Sequence, residues 1–128
     1  MKILVGYDGK ELAKKALKLA VDHSNAFGAE IHVLHSKVTD LPQKEHEQDE
    51  RDMEEVKQDL EKQGISCQVH LEIRNMDPGD HLVEYAKEQM VDEIVIGVRM
   101  RSKVGKLIMG STAQHVILEA PCPVVSVK

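Results

Sequence analysis

The sequence predicts an α/β fold built on a doubly wound parallel sheet. Strand-like and helix-like stretches alternate five times along 128 residues, and no hairpin signal falls between them. Two of the strands, centred on Ile3-Leu4-Val5 and Ile94-Val95-Ile96, are apolar without alternation, which marks strands covered on both faces. The length suits a single domain, residues 1–128, around one core.

The elements follow in order. Lys2 to Tyr7 reads as a buried strand. Asp8 stands where a helix cap belongs, and Leu12, Ala13, Ala16, Leu17 and Ala20 form the apolar stripe of the helix behind it. Gly28 suits the stop after Phe27. Ile31 to Ser36 is a second strand, followed by a loop through Pro42 and a highly charged helix whose few apolar positions, Met53, Val56 and Leu60, fall on one narrow stripe. Gly64 closes that helix. Ile65, Cys67, Val69, Leu71 and Ile73 alternate with polar residues, as a strand near a sheet edge does. Asp77-Pro78-Gly79-Asp80 opens a third helix carrying Leu82, Val83 and Tyr85. Glu93 to Gly97 is the second fully apolar strand, a basic loop leads to a helix near Ser111, and Pro123 to Val127 is a short last strand. The flanking Pro121 and Pro123 suit an edge.

In a doubly wound sheet whose two apolar strands are central neighbours, the switch point lies between their C-terminal ends, where ligands bind. The loops there are Tyr7-Asp8-Gly9-Lys10 and 97–112. Charge singles out the second one independently. The chain carries 17 basic and 22 acidic side chains, net −5. The segment 43–63 holds nine acids and four bases, so it accounts for the whole excess, either as the solvated face of a helix or as an acidic docking surface. Between Gly97 and Gly110, by contrast, Arg99, Arg101, Lys103 and Lys106 occur with no acid. In an acidic protein this suits a small anion, not a nucleic-acid face. With two tyrosines, one phenylalanine and no tryptophan, a base-stacking platform for single strands is not expected either. No apolar run approaches the roughly 18 residues of a membrane span. Two cysteines make no disulfide framework, which favours a reducing, cytoplasmic setting.

Neither a Walker loop nor GxGxxG is present. What occurs is Gly97, a basic stretch, and Gly110-Ser111-Thr112 opening a helix. Free N–H groups at a helix start, a hydroxyl pair and nearby Arg and Lys make an anion site, although a plain turn with Ser111 as cap has the same outline.

Ile3-Leu4-Val5-Gly6-Tyr7-Asp8-Gly9, Ile31-His32-Val33-Leu34-His35, Ile94-Val95-Ile96-Gly97, Val104-Gly105-Lys106-Leu107-Ile108-Met109-Gly110-Ser111 and Ala120-Pro121-Cys122-Pro123-Val124-Val125 together resemble the universal stress protein family, in its single-domain, UspA-like form, over nearly the whole chain. The resemblance implies an adenine-nucleotide α-hydrolase-like, Rossmann-like sheet of order 3-2-1-4-5 and a homodimer, often paired through the last strand. It also implies ATP or AMP at the switch point, with Mg²⁺ carried on the phosphates. Its nucleotide motif maps onto Gly97, position 100, Gly110 and Ser111, and its base-facing residues onto Asp8 and Ser36. The expected contacts are therefore Tyr7, Asp8, Ser36, Gly97, Arg99, Met100, Arg101, Gly110, Ser111 and Thr112. One departure stands out: Met100 replaces the motif's second glycine, and its Cβ and thioether would oppose a positive φ or close backbone approach.

The expected role is a regulatory module that reports adenine-nucleotide status to a protein partner. The alternative is a dimeric interaction protein without nucleotide, and a weaker third reading is a slow ATP hydrolase with Asp8 as its one nearby carboxylate. No catalytic residue and no protein-only metal site is assigned. His32 and His35 face opposite sides of a strand, and Ser111 with His115 lacks a third, orienting group. Cys67 and Cys122 belong to opposite edges of the sheet. No membrane or nucleic-acid partner is expected.

Overall fold

The computed structural model describes residues 1–38, 46–103 and 106–128, with the side chains of all but 100–103 and 106–108. The elements are β1 (Lys2–Gly6), α1 (Glu11–Phe27), β2 (Glu30–Lys37), α2 (Glu47–Lys62), β3 (Cys67–Ile73), α3 (Pro78–Glu88), β4 (Glu93–Gly97), β5 (Met100–Lys103), β6 (Lys106–Met109), α4 (Ser111–Glu119) and β7 (Val124–Val127). Five strands form one parallel sheet in the order β3-β2-β1-β4-β7. This is the predicted order 3-2-1-4-5, with β7 as the fifth strand.

The period of two along each strand separates two apolar layers. Ile3, Val5, Ile31, Val33 and Val95 face α1 and α2, where Ala16, Ala20, Met53, Val56 and Leu60 cover them. Leu4, Leu34, Ile94 and Ile96 face the other way, against Leu82, Val83, Ala86 and Val116 of α3 and α4. Burying one such Ile or Leu side chain is worth about 1.5–3 kcal/mol. The central strands therefore hold most of the core. Alanines on the buried face of α1 let that helix lie close on the sheet, and Gly28 ends it in the left-handed conformation, its N–H donating to the Ser24 carbonyl. The acidic helix α2 buries the predicted stripe Met53, Val56 and Leu60, so its carboxylates form the outer face.

Two local expectations are corrected. Asp8 is not the cap of α1: Lys10 holds that position, and Asp8 Oδ1 accepts from the Lys10 N–H at 2.9 Å. Gly9 between them takes φ +79°, a conformation open to glycine that lets the chain turn before the helix starts. The basic loop after β4 contains an antiparallel ladder, β5 with β6, pairing Met100 with Met109 and Lys103 with Lys106. Its strands are four residues each, with two cations in β5 and one in β6. Val104-Gly105 is not one of the strong two-residue turn signals, so the ladder escapes a search for hairpins. Residues 104 and 105, and the loop through Pro42 within 39–45, lie outside the described residues.

Two histidines of β2 are buried on opposite faces, as the strand period requires: His32 is 0% and His35 7% exposed. Nδ1 of His32 is 2.6 Å from the Tyr85 hydroxyl, and burial, with Glu72 and Glu30 adding, pushes that phenol up to about 12. Burial lowers the pKa of both His32 and His35. The unfolded chain takes up these protons near the ordinary value of about 6.5, whereas the folded chain resists them. The unfolded state thus binds more protons as pH falls through that value, and stability falls with it until the pH passes below the depressed folded values. Urea midpoints are expected to drop between about pH 7 and pH 5.5, and His35→Gln to flatten part of that slope; an identical slope in the variant would contradict the assignment.

Candidate functional site

A cleft of about 640 Å³ opens at the C-terminal ends of β1, β2 and β4. It lies where α1 leaves the sheet toward one face and α4 packs on the other, which is the switch point of the topology. Its floor is backbone. Gly6 ends β1 with no side chain, and a Cβ there would meet Ile96 Cγ2 and Leu82 Cδ1, each at 3.1 Å. Gly97 ends β4 directly beneath the first turn of α1, where a Cβ would lie 2.7 Å from Leu12 Cβ and 2.9 Å from the Leu12 carbonyl carbon and oxygen. The glycine assigned to the anion loop is therefore also a packing requirement.

The two ends of the cleft differ in chemistry. On the β2 side, Leu34 and Leu82 make an apolar wall, with Ser36 as the polar group beside it. On the β4 side stand Arg99, Gly110 and Thr112. Here α4 begins: Gly110 is its N-cap, no side chain caps it, and no acid occupies its first turn. Its leading N–H groups have no acceptor within the helix, and the dipole favours negative charge at that end. By contrast, α3 is closed by Asp77, whose Oδ1 accepts from the Gly79 N–H at 2.8 Å. A Cβ on Gly110 would meet nothing within 4 Å, so the space before this helix start is open.

Of the predicted residues, Tyr7, Asp8, Ser36, Gly97, Arg99, Gly110 and Thr112 are brought together around this one cleft. Ser111 is the exposed first residue of α4, between Gly110 and Thr112. Tyr7 forms wall and not floor: its ring is buried, edge-on to His35 with centroids 6.5 Å apart. Burial, then the carboxylates of Asp52, Asp8 and Glu11, raise its pKa, so the phenol stays a neutral donor. Met100 opens β5 in extended backbone paired with Met109. Among the described residues the one non-glycine with positive φ is Met90, so position 100 makes no demand for glycine on that ground. Arg101 pairs with Ile108 through the backbone; its side chain and that of Met100 lie outside the description.

A model described as the universal stress protein family matches residues 1–128. The chain belongs to that family. A universal stress protein from Thermus aquaticus is 31% identical, over 98% of this chain and 97% of its own. The solved structure of a universal stress protein from Archaeoglobus fulgidus superposes with a TM-score of 0.84 at 30% identity, covering 100% of this chain and 93% of that one. A solved structure of the universal stress protein from Archaeoglobus fulgidus in complex with dAMP gives a TM-score of 0.79 at 27% identity, covering 100% and 98%.

Some of what surrounds the cleft in this universal stress protein is not in the motif. Pro78 and Leu82 come from α3, and Glu11 adds a second carboxylate beside Asp8. Behind Ser36 lies His81, 1% exposed, its Nδ1 2.6 Å from Ser36 Oγ. In the sequence Asp77-Pro78-Gly79-Asp80 with Leu82, Val83 and Tyr85 marks the helix but not the strand it meets. His115, spaced like a base for Ser111, instead lies 2.7 Å from Asp80 and ties α4 to α3. Cys67 and Cys122 sit at opposite edges of the sheet, packed against different core layers. Burial raises the pKa of both thiols, which favours the protonated form. Among the described residues no three His, Cys, Asp or Glu side chains group to hold a metal ion, and no helix is long and apolar enough to cross a membrane.

Proposed function

We propose that this cleft binds an adenine nucleotide, ATP or AMP, and that the chain is a regulatory module of the stress response and not an enzyme. The observation that carries the reading is the division of the cleft. A planar base fits the apolar wall of Leu34 and Leu82 beside Ser36 and Asp8, and phosphates fit the uncapped start of α4 beside Arg99 and Thr112. The dAMP complex of the Archaeoglobus fulgidus relative supports it. Mg²⁺ enters on the phosphates, since that ion needs few protein ligands. Nucleotide would bridge β2 and α4, and a protein partner in the cytoplasm would read that state.

The test is release and rescue. Heat-cleared protein fresh from cells is expected to release an adenine nucleotide, and millimolar ATP with Mg²⁺ to raise the melting temperature of emptied protein. Ligand at a hundred times its Kd adds about 2.7 kcal/mol. An empty supernatant together with an unmoved melting temperature would replace this reading by a dimeric interaction protein without nucleotide.

We further propose that the dimer forms through β7. This strand is the edge of the sheet beside β4, and Leu118 of the neighbouring α4 is 78% exposed. The carbonyls of Pro123 and Val127 accept from Ile94 and Val98, so by the alternation of a strand the N–H of Ser126 faces the free edge. Ser126→Pro removes that outward donor and leaves the β4 ladder in place. Sedimentation is expected to show a dimer for the native chain and a folded monomer for the variant; equal dimerisation of both would move the interface elsewhere.

A further inference from the structure

At the base end of the cleft three polar side chains from three elements form a line. Ser36 Oγ, from the end of β2, is 2.6 Å from His81 Nδ1 on α3. His81 Nε2, on the far side of the ring, is 2.5 Å from Glu72 Oε2 on β3. The imidazole is 2% exposed and Glu72 31% exposed. The outer carboxylate is flanked by Arg74, whose Nε lies 3.7 Å from the same oxygen and whose Nη1 lies 3.5 Å from Glu84. The line therefore runs from the cleft through a buried ring to a charged surface group. On the same face of the sheet His32 Nδ1 also meets a hydroxyl, that of Tyr85, while its Nε2, 3.5 Å from Glu30 Oε2, has no hydrogen-bond partner.

The order at His81 has a chemical consequence. Glu72 Oε2 lies 2.5 Å from Nε2 without an aligned donor; a proton on Nε2 makes this contact attractive, whereas a bare Nε2 would set lone pair against lone pair. In the neutral ring Nδ1 is then an acceptor alone. The Ser36 hydroxyl satisfies it by donating inward, and only the lone pairs of Oγ remain for the cleft. A serine that is ordinarily both donor and acceptor becomes an acceptor.

We propose that Ser36, oriented by His81 and Glu72 as positioning residues, selects a base carrying an exocyclic amino group over one carrying a carbonyl at the same place. This rests on the nucleotide reading above and adds to it the source of base discrimination. A 6-amino purine donates to the fixed Oγ. A 6-oxo purine sets a carbonyl oxygen against it, and a mismatched polar pair in an apolar slot is penalised far more than a lost methylene.

Titration of the emptied protein with ATP and with ITP tests this. The native chain is expected to prefer ATP by about tenfold or more. Ser36→Ala should bring the two nucleotides within about threefold of each other, chiefly by weakening ATP. Glu72→Gln, at the partly exposed sheet edge, keeps the fold and releases the tautomer, so ITP should gain on ATP. Long-range ¹⁵N correlation should show native His81 protonated at Nε2 and bare at Nδ1. An ATP-to-ITP ratio unchanged in both variants, or a proton on Nδ1 of the native ring, overturns the proposal while nucleotide binding stands. Failure of the native chain to bind either nucleotide overturns both together.

Discussion

Gly97→Ala is expected to lower stability by about 3 kcal/mol and the melting temperature by about 10 °C or more. The added Cβ would sit 2.7 Å from Leu12 Cβ and 2.9 Å from the Leu12 carbonyl group, well inside contact distance. Two of those three atoms are backbone in the first turn of α1, so no rotamer change removes the clash. Relief requires α1 to lift from the sheet, which would open the contacts of Ala13 and Ala16, 5% and 0% exposed. Overpacking of this kind costs about 1–3 kcal/mol where side chains can yield, and more where they cannot. Thermal and urea unfolding read the effect directly. A melting temperature within a degree or two of the native chain would show that α1 rides on the sheet with slack.

Gly110→Val is expected to have the opposite profile, with little loss of stability and loss of the ATP-induced rise in melting temperature. Gly110 has φ −62° and ψ 155°, which a β-branched residue adopts readily, and a Cβ there meets no protein atom within 4 Å. Replacing glycine at an N-cap costs about 1 kcal/mol. The isopropyl group would occupy the open space before α4, where phosphate oxygens are proposed to meet the free N–H groups, and at least a tenfold weakening of ATP is expected, on the order of 1.4 kcal/mol. Native affinity in a folded Gly110→Val protein would move the phosphates away from this helix. Taken with Gly97→Ala, the pair separates the two reasons a glycine can stand in one loop: one meets protein, the other leaves room.

Much of the site was legible in the residues because its parts are local. The apolar runs Ile3-Leu4-Val5 and Ile94-Val95-Ile96 mark strands buried on both faces, all at 0–5% exposure, and a crevice must lie where two such strands part. The acid-free basic stretch and Gly110-Ser111-Thr112 mark a helix start without a competing negative charge. Seven of ten expected residues border one cleft for that reason. The misplaced cap at Asp8 and the unseen β5–β6 ladder are also local, and they were missed because weak turn chemistry carries little signal in a few residues.

What no local pattern contains is which side chains meet across elements. His81 reads as one polar residue inside a helix, Glu72 as one on the outer face of an edge strand, and Ser36 as a strand end; nothing in their spacings of 36 and 9 residues joins them. They meet because β2 pairs with β3 in a register that sets Ser36 beside Glu72, and because α3 crosses over that pair. The demand for glycine at position 97 has the same origin, since it depends on where Leu12 lands. Composition, periodicity and caps are short-range properties and are written along the chain, so they determined the elements, their order and the end of the sheet at which the cleft opens. Contact between residues far apart in sequence depends on register and on how closely helices seat on the sheet, so the tertiary structure alone decided which polar groups meet and which glycine lies against a neighbouring backbone.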